Sequence, residues 1–169
     1  MGAAAGTTRV PWIDYQRGGN FGGVAVGTTD GYQVFVETID GLALERLDFV
    51  KIDVEGAEFD VLAGGRRTIA RLRPLLYVEA DRTDKSGPVI ALLLELGYAL
   101  WWHVTPMFSP DNFFGNGVNV FDAIVSINIL ATPVERGITV AGATPVTGPD
   151  DDWVKAQRRR ASTIAGGRL

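Results

Sequence analysis

The chain has 169 residues, 46% of them apolar and 21% charged, with a net charge of −4 and a pI near 5.0. This is enough apolar material for one domain with a real core and not a disordered composition, and the acidic balance argues against a nucleic-acid scaffold, which carries a basic face. The absence of cysteine excludes disulfides, thiolate metal sites and cysteine nucleophiles, and the single histidine, His103, excludes a multi-histidine metal centre. No apolar run reaches the ~18 residues of a membrane span. The opening MGAAAGTTRVPW has no apolar stretch of the secretory kind. The default expectation is a soluble cytoplasmic protein with no nucleic-acid and no membrane partner.

In chain order, residues 1–9 are small and polar and read as frayed, VPWIDY (10–15) as a short extended piece, and RGGNFGGVAVGTTDG (17–31) as irregular. Residues 1–31 thus form an irregular N-terminal segment. YQVFVET (32–38) reads as a strand. Asp40 is placed to cap a short helix carrying Leu42, Leu44 and Leu47. FVKIDV (49–54) is apolar at nearly every position, which suits a strand covered on both faces. Helical spacing then takes over at Phe59 and Leu62, and Gly64 and Gly65 read as a left-handed stop. RRTIARLR adds a short helical stretch that Pro74 closes.

PLLYVEA (74–80) is a second apolar strand, so strand, helix and strand fill about 30 residues, the size of a βαβ unit. Pro88 opens the next predicted helix, with Ser86 as its cap and Gly97 as its stop. YALWWHV (98–104) is a third strand, an aromatic loop runs over 105–122, and AIVSINIL (123–130) is a fourth strand. No helical pattern separates these last two strands, so they read as an antiparallel pair at one edge. Residues 137–169 turn to Pro, Gly, Thr and Asp and read as a flexible, solvated tail. There are no internal repeats.

Two features carry chemistry. GGNFGG (18–23) has the composition of a phosphate loop, but no strand precedes it and no helix can follow, so it reads as a glycine-bearing turn. The acids are more informative. FVKIDV ends on Asp53 and Glu55, and LLYVEAD ends on Glu79 and Asp81. Ligands of open α/β sheets bind outside the carboxyl ends of the strands, and adjacent strands lie roughly 4.8 Å apart. The four carboxylates can therefore share one mouth that repels phosphate and attracts cations. Such a mouth can hold an ammonium or sulfonium, bind Mg²⁺ through oxygens, or supply a general base. Against this, Glu55 and Glu58 sit where a helix dipole alone favours acids, and Asp81 beside Arg82 has the look of a surface pair. Lys51, mid-strand, reads as a local salt-bridge partner. His103 ends the third strand near the same edge, in place for proton transfer or for a structural hydrogen bond. The loop beyond it, with Asn112, Phe113 and Phe114, suits a lid over a polar organic substrate or packing on the sheet edge.

LDFVKIDVEGAEFDVLAGG, RPLLYVEADR, GYALWWHV and the aromatic loop that leads into DAIVSINILATP together resemble the FkbM family of S-adenosylmethionine-dependent methyltransferases. The likeness covers roughly residues 10–136, with one local departure where Ala80 replaces an expected amide. The resemblance implies an α/β, Rossmann-like class I methyltransferase sheet, mostly parallel with a C-terminal antiparallel strand pair, over residues 32–136. It implies S-adenosylmethionine as cofactor, near Asp53 and Glu55, and methyl transfer to a hydroxyl of a small molecule or glycan. Asp53, Glu79 and His103 would be catalytic; Asp81, Asn112 and Phe113 would meet the acceptor; no metal is implied. In that fold the cofactor is held mainly by βα units before FVKIDV, which need about 100 residues, whereas 48 precede Phe49. The resemblance therefore implies the C-terminal part of such an enzyme, with activity of the shortened chain in question and a sheet edge beside FVKIDV open to a second copy. A non-catalytic ligand-binding or assembly module derived from a methyltransferase is the alternative.

Overall fold

The computed structural model describes residues 1–18, 23, 24 and 26–166, without the side chains of 163–166. Most of the glycine-rich turn predicted at 18–23 lies outside the described residues. The described chain forms a two-stranded ladder and a five-stranded mixed sheet with helices. No helix among the described residues is long and apolar enough to cross a membrane.

The ladder pairs β1 (Gly6–Val10) antiparallel with β2 (Tyr32–Val36), from Gly6 opposite Val36 to Val10 opposite Tyr32. The strand expected at 32–38 is there, but its partner is the stretch expected to be frayed and irregular. GTTRV supplies β-branched residues that fit a pleated surface, and Arg9 Nη1 donates to the Gly31 carbonyl at 2.9 Å. Gly31 sits at φ +137°, and a Cβ there would lie 1.9 Å from the Val10 carbonyl oxygen. Only glycine closes this ladder.

The main sheet has the order β3 (Phe49–Ile52), β4 (Leu75–Glu79), β6 (Val125–Pro133), β5 (Tyr98–Pro106), β7 (Thr144–Pro145). β3 and β4 are parallel; the other three pairings are antiparallel. The expectation of mostly parallel pairing thus holds for β3 and β4 alone. The predicted last pair, β5 and β6, is antiparallel, and β6 folds back between β4 and β5. Both β4 and β5 run opposite to β6, so they share one direction and end at the same side of the sheet.

Strand alternation divides the sheet into two unlike faces. Ile52, Leu76, Val78, Leu100, Trp102 and Ile129 are buried, in one cluster with Val61, Leu62, Ile69, Ile90 and Leu93 of the helices. Each such side chain contributes about 1.5–3 kcal/mol of burial. The other face carries Lys51, Tyr77, Glu79, Asn128 and His103. β3 is therefore covered on one face only: Phe49 is 54% exposed, and the two-sided burial expected for this strand does not occur. The outer side of β3 adjoins an apolar cavity of about 290 Å³ lined by Leu42, Leu44, Leu47, Val50 and Val54, among others.

α1 (Glu58–Ala63) and α2 (Arg66–Leu72) follow β3. Asp40 does cap a helix, but not the one expected. Residues 39–43 form turns and no helix, and the Asp40 carboxylate accepts the Thr68 amide at 2.7 Å and the Arg67 amide at 3.2 Å at the start of α2. Burial works against its charge, but the bonds from Thr68 and Arg67 hold its pKa below the usual value. Gly64 and Gly65 do not stop α1 by left-handed geometry, since Gly64 has φ −71° and Gly65 φ −109°. They are small because other chain segments cross there. A Cβ on Gly64 would lie 2.0 Å from the Gly2 carbonyl oxygen, and one on Gly65 3.0 Å from Ile39.

α3 (Thr83–Glu95) starts five residues before its predicted opening at Pro88, which lies inside the helix. As the sixth residue of α3, Pro88 leaves the Asp84 carbonyl without the backbone bond an N–H at that position would make. Gly97, at φ +75°, is the left-handed stop that was expected.

The segment 137–169, expected as a solvated tail, carries β7 and α4 (Trp153–Gly166). The buried Asp151 holds this segment to the sheet. It accepts Trp102 Nε1 at 3.1 Å, the Thr147 amide at 3.0 Å, and Arg159 at 2.6 and 2.7 Å. Burial alone would raise its pKa, but these donors hold it at about 2. Asp152 caps α4 by accepting the Lys155 amide at 2.8 Å, and Ala156 is buried.

Candidate functional site

The site is built where β3 and β4 end. Beyond Ile52 the chain turns sharply through Glu55 (φ +55°) and Gly56 (φ +96°) before entering α1. A left-handed glutamate costs of order 1 kcal/mol and persists only where its surroundings over-determine it. Here they do. Arg82 Nη2 donates to Glu55 Oε2 at 2.9 Å, Lys85 Nζ donates to the Gly56 carbonyl at 3.1 Å, and the Gly56 amide donates to Glu58 Oε1 at 2.8 Å. A Cβ on Gly56 would lie 2.6 Å from Lys85 Nζ and 2.7 Å from Arg82 Nη1. The run DVEGAE is thus legible as physics: the glycine turns the chain under two cations, and Glu58, buried at 5% exposure, pins the turn.

The result is a convergence of acids. Asp53, Glu55 and Glu79 each place a carboxylate oxygen within 4.8 Å of the other two. Asp53 is paired with Lys51 at 2.5 Å, and Asp81 lies 4.0 Å from Arg82. Glu79 is the perturbed member. Burial first, then the charges of Asp53 and Asp81, a hydrogen bond to Asp53 and the charge of Glu55 push its pKa up to about 7. It therefore changes charge near neutral pH, as a general base requires. As a divalent-cation set the trio is poorly supplied, because Asp53 is already paired with Lys51 and Glu55 with Arg82.

Strand register extends this cluster across the open face. Glu79, Asn128 and His103 lie directly opposite one another on β4, β6 and β5. Lys51 lies opposite Tyr77. The Tyr77 hydroxyl reaches over β6 and meets His103 Nδ1 at 2.8 Å, with the two rings edge to face at 5.8 Å. Burial raises the Tyr77 pKa, against the pull of the Lys51 charge, so the phenol stays neutral. Beneath them the buried Asn128 donates to Ser126 Oγ at 2.8 Å.

The structure brings Asp53, Glu55 and Glu79 together, sets Asp81 close enough to act on Glu79, and puts His103 on the same face. Asn112 and Phe113 stand apart. The Asn112 amide donates to the Ser109 and Asn116 carbonyls and accepts the Asn116 amide, so its polar atoms brace its own loop. Phe113 is 96% exposed and touches Phe114 edge to face at 5.2 Å. Neither has a hydrogen bond or ring contact with the carboxylates. Sequence reasoning passed over Tyr77 and Asn128. The signal for Tyr77 was parity, because residues i and i+2 of a strand share a face and Tyr77 precedes Glu79 by two. Asn128 had none, since its place depends on how β6 inserts.

The fold is thus an α/β sheet with acids gathered at the ends of two parallel strands. The methyltransferase FkbM domain matches residues 6–100, more than half of the chain, and the chain belongs to that family. The match covers Asp53, Glu55, Glu79 and Asp81; His103 falls just beyond it. No curated protein and no solved structure matches the chain.

Proposed function

We propose that this protein is an S-adenosylmethionine-dependent methyltransferase acting on a hydroxyl oxygen of a small molecule or glycan. The observation that carries the reading is the meeting of Asp53, Glu55 and Glu79 within 4.8 Å at the carboxyl ends of β3 and β4. When bound, S-adenosylmethionine supplies an electrophilic methyl group on a positively charged sulfur. The donor set fits that group through the cluster as a whole, in which Asp53, Glu55, Glu79 and Asp81 outnumber their ion-pair partners Lys51 and Arg82, and the apolar cavity beside Val50 and Val54 offers room for an uncharged flat group. Glu79, with a pKa of about 7, or His103 receives the acceptor's proton. Asp81 lies near enough to hold the acceptor.

Calorimetric titration of the purified chain with S-adenosylmethionine and with S-adenosylhomocysteine tests this. The expected result is saturable binding of both, with Asp53→Asn weakening the cationic donor about tenfold, a loss of ~1.4 kcal/mol. The uncharged product should be affected less. Absence of binding to either compound refutes the reading.

One observation favours a second reading, a non-catalytic binding or assembly module. β3 ends the sheet order, its outer edge borders an apolar cavity, and Phe49 on the same strand is 54% exposed. Such an edge can accept a strand from a second copy. Sedimentation over a concentration series decides it, since a strictly monomeric chain that also binds no ligand leaves this reading without support.

A further inference from the structure

We infer that Tyr77 is a positioning residue that locks His103 in the tautomer with its proton on Nε2, so that His103 presents a hydrogen-bond donor to the acceptor molecule and Glu79 is left as the group that takes the proton. The assignment of roles rests on the methyl-transfer reading above; the tautomer does not.

The Tyr77 hydroxyl and His103 Nδ1 lie 2.8 Å apart. Two proton arrangements satisfy this contact. In one, the phenol donates to a bare Nδ1 and Nε2 carries hydrogen. In the other, Nδ1–H donates to the phenol oxygen and Nε2 is free to accept a proton. The two are not equal in strength. A phenol is a good donor and a poor acceptor, because its oxygen shares electron density with the ring, whereas an unprotonated imidazole nitrogen is a strong acceptor. The first arrangement pairs the better donor with the better acceptor. In a neutral imidazole the bond made by one ring nitrogen decides what the other can do. With Nδ1 occupied by Tyr77, Nε2 is a donor.

The sheet explains why this pair exists. Tyr77 sits on β4 and His103 on β5, with β6 between them. Only a long, rigid side chain with a polar tip crosses that gap, and tyrosine meets the need. Glu79 stands two residues further along Tyr77's own strand and directly across β6 from His103. Donor and base thus face each other across roughly two strand spacings, about 10 Å between backbones. A molecule lying over Asn128 can meet both.

His103 is the only histidine in the chain, so a ¹⁵N spectrum of its ring nitrogens is unambiguous. In uniformly labelled protein, at a pH where the imidazole is neutral, a long-range ¹H–¹⁵N correlation separates the bare nitrogen from the protonated one. The expected result is a bare Nδ1 and a protonated Nε2 at their full separation. In Tyr77→Phe the separation narrows as the tautomers mix. A protonated Nδ1 in the unaltered protein overturns the inference, and so does a Tyr77→Phe spectrum with unchanged ring nitrogens. The measurement on the unaltered chain is decisive even where the variant folds poorly. Titration of S-adenosylhomocysteine into the same sample keeps the two claims apart: lost cofactor binding with the Nε2–H tautomer intact sinks the methyl-transfer reading alone.

Discussion

Replacing Asp53 with asparagine should return Glu79 toward ordinary carboxylate behaviour. Glu79 has a pKa of about 7 in the folded chain against 4.5 for the free group, with burial the leading cause and Asp53 the next. Two carboxylates about 5 Å apart repel by about 2–3.5 kcal/mol at an effective dielectric of 20–40, which is about 1–2.5 pKa units. The open sheet face favours the lower end, so Asp53→Asn should bring Glu79 down by about one unit. Loss of Asp53 also leaves the Lys51 charge uncompensated, which acts in the same direction. A ¹³C carboxyl titration followed by NMR, with the Glu79 signal assigned from Glu79→Gln, reads the change directly. The sign for stability follows from linkage. The folded pKa lies above the unfolded one, so the native state holds the proton more tightly. The benefit is full below pH 4.5 and is lost as pH rises to about 7. Glu79→Gln should flatten that part of the stability profile. A Glu79 that titrates near 4.5 in the unaltered chain, or that ignores Asp53→Asn, refutes the picture of a shared acidic mouth.

Other substitutions probe the scaffold. Gly56→Ala forces a Cβ toward Lys85 and Arg82 at φ +96°; a loss of about 1–3 kcal/mol is expected in urea unfolding, and unchanged stability would contradict the strained turn. Asp151→Asn removes the charge that holds Arg159 and should cost about 1–3 kcal/mol, with a shift of the Trp102 indole proton. Because Asp151 is held at about 2, its contribution is present above pH 3.8 and fades as pH falls towards 2; an unchanged acid limb in Asp151→Asn would count against the buried node. Glu95→Ala, which breaks the exposed pair with Arg66, should change stability by less than about 1 kcal/mol, and a larger loss would mean the pair does more than decorate the surface.

What could be read in advance follows from how local each signal is. The strands FVKI and LLYVE and the left-handed Gly97 are fixed by neighbours in sequence, and all were legible, whereas the turn through Glu55 and Gly56 was not. The acids at the strand ends were legible too, because strand direction and length suffice to place them. Asp40 illustrates the opposite case. Its capping role was visible, but the helix it caps begins 26 residues later, and only the crossing of the Ile39 segment over Gly64 and Gly65 reveals it. β1 was missed because GTTRV has little apolar content, and its order comes from pairing with β2. α4 was missed because its residues look solvated. Yet DDDW at 150–153 is an N-cap signature, and Trp153 and Ala156 lie three apart on one helical face. Tyr77 was not legible in the same way: charge marks the strand tips, while the side chain that spans β6 to reach His103 sits one pleat back.

The bond from the Trp102 indole to Asp151 also bears on where this domain can be cut. A chain ended near residue 148 would strip the acceptor from a tryptophan in the middle of β5 and lay open the pocket that Val104, Val125 and Ala156 share. Recombinant versions intended for crystallisation or ligand screening should therefore retain the sequence at least through Gly166, the end of α4. Fusion partners placed after that point would leave the sheet's helical side closed.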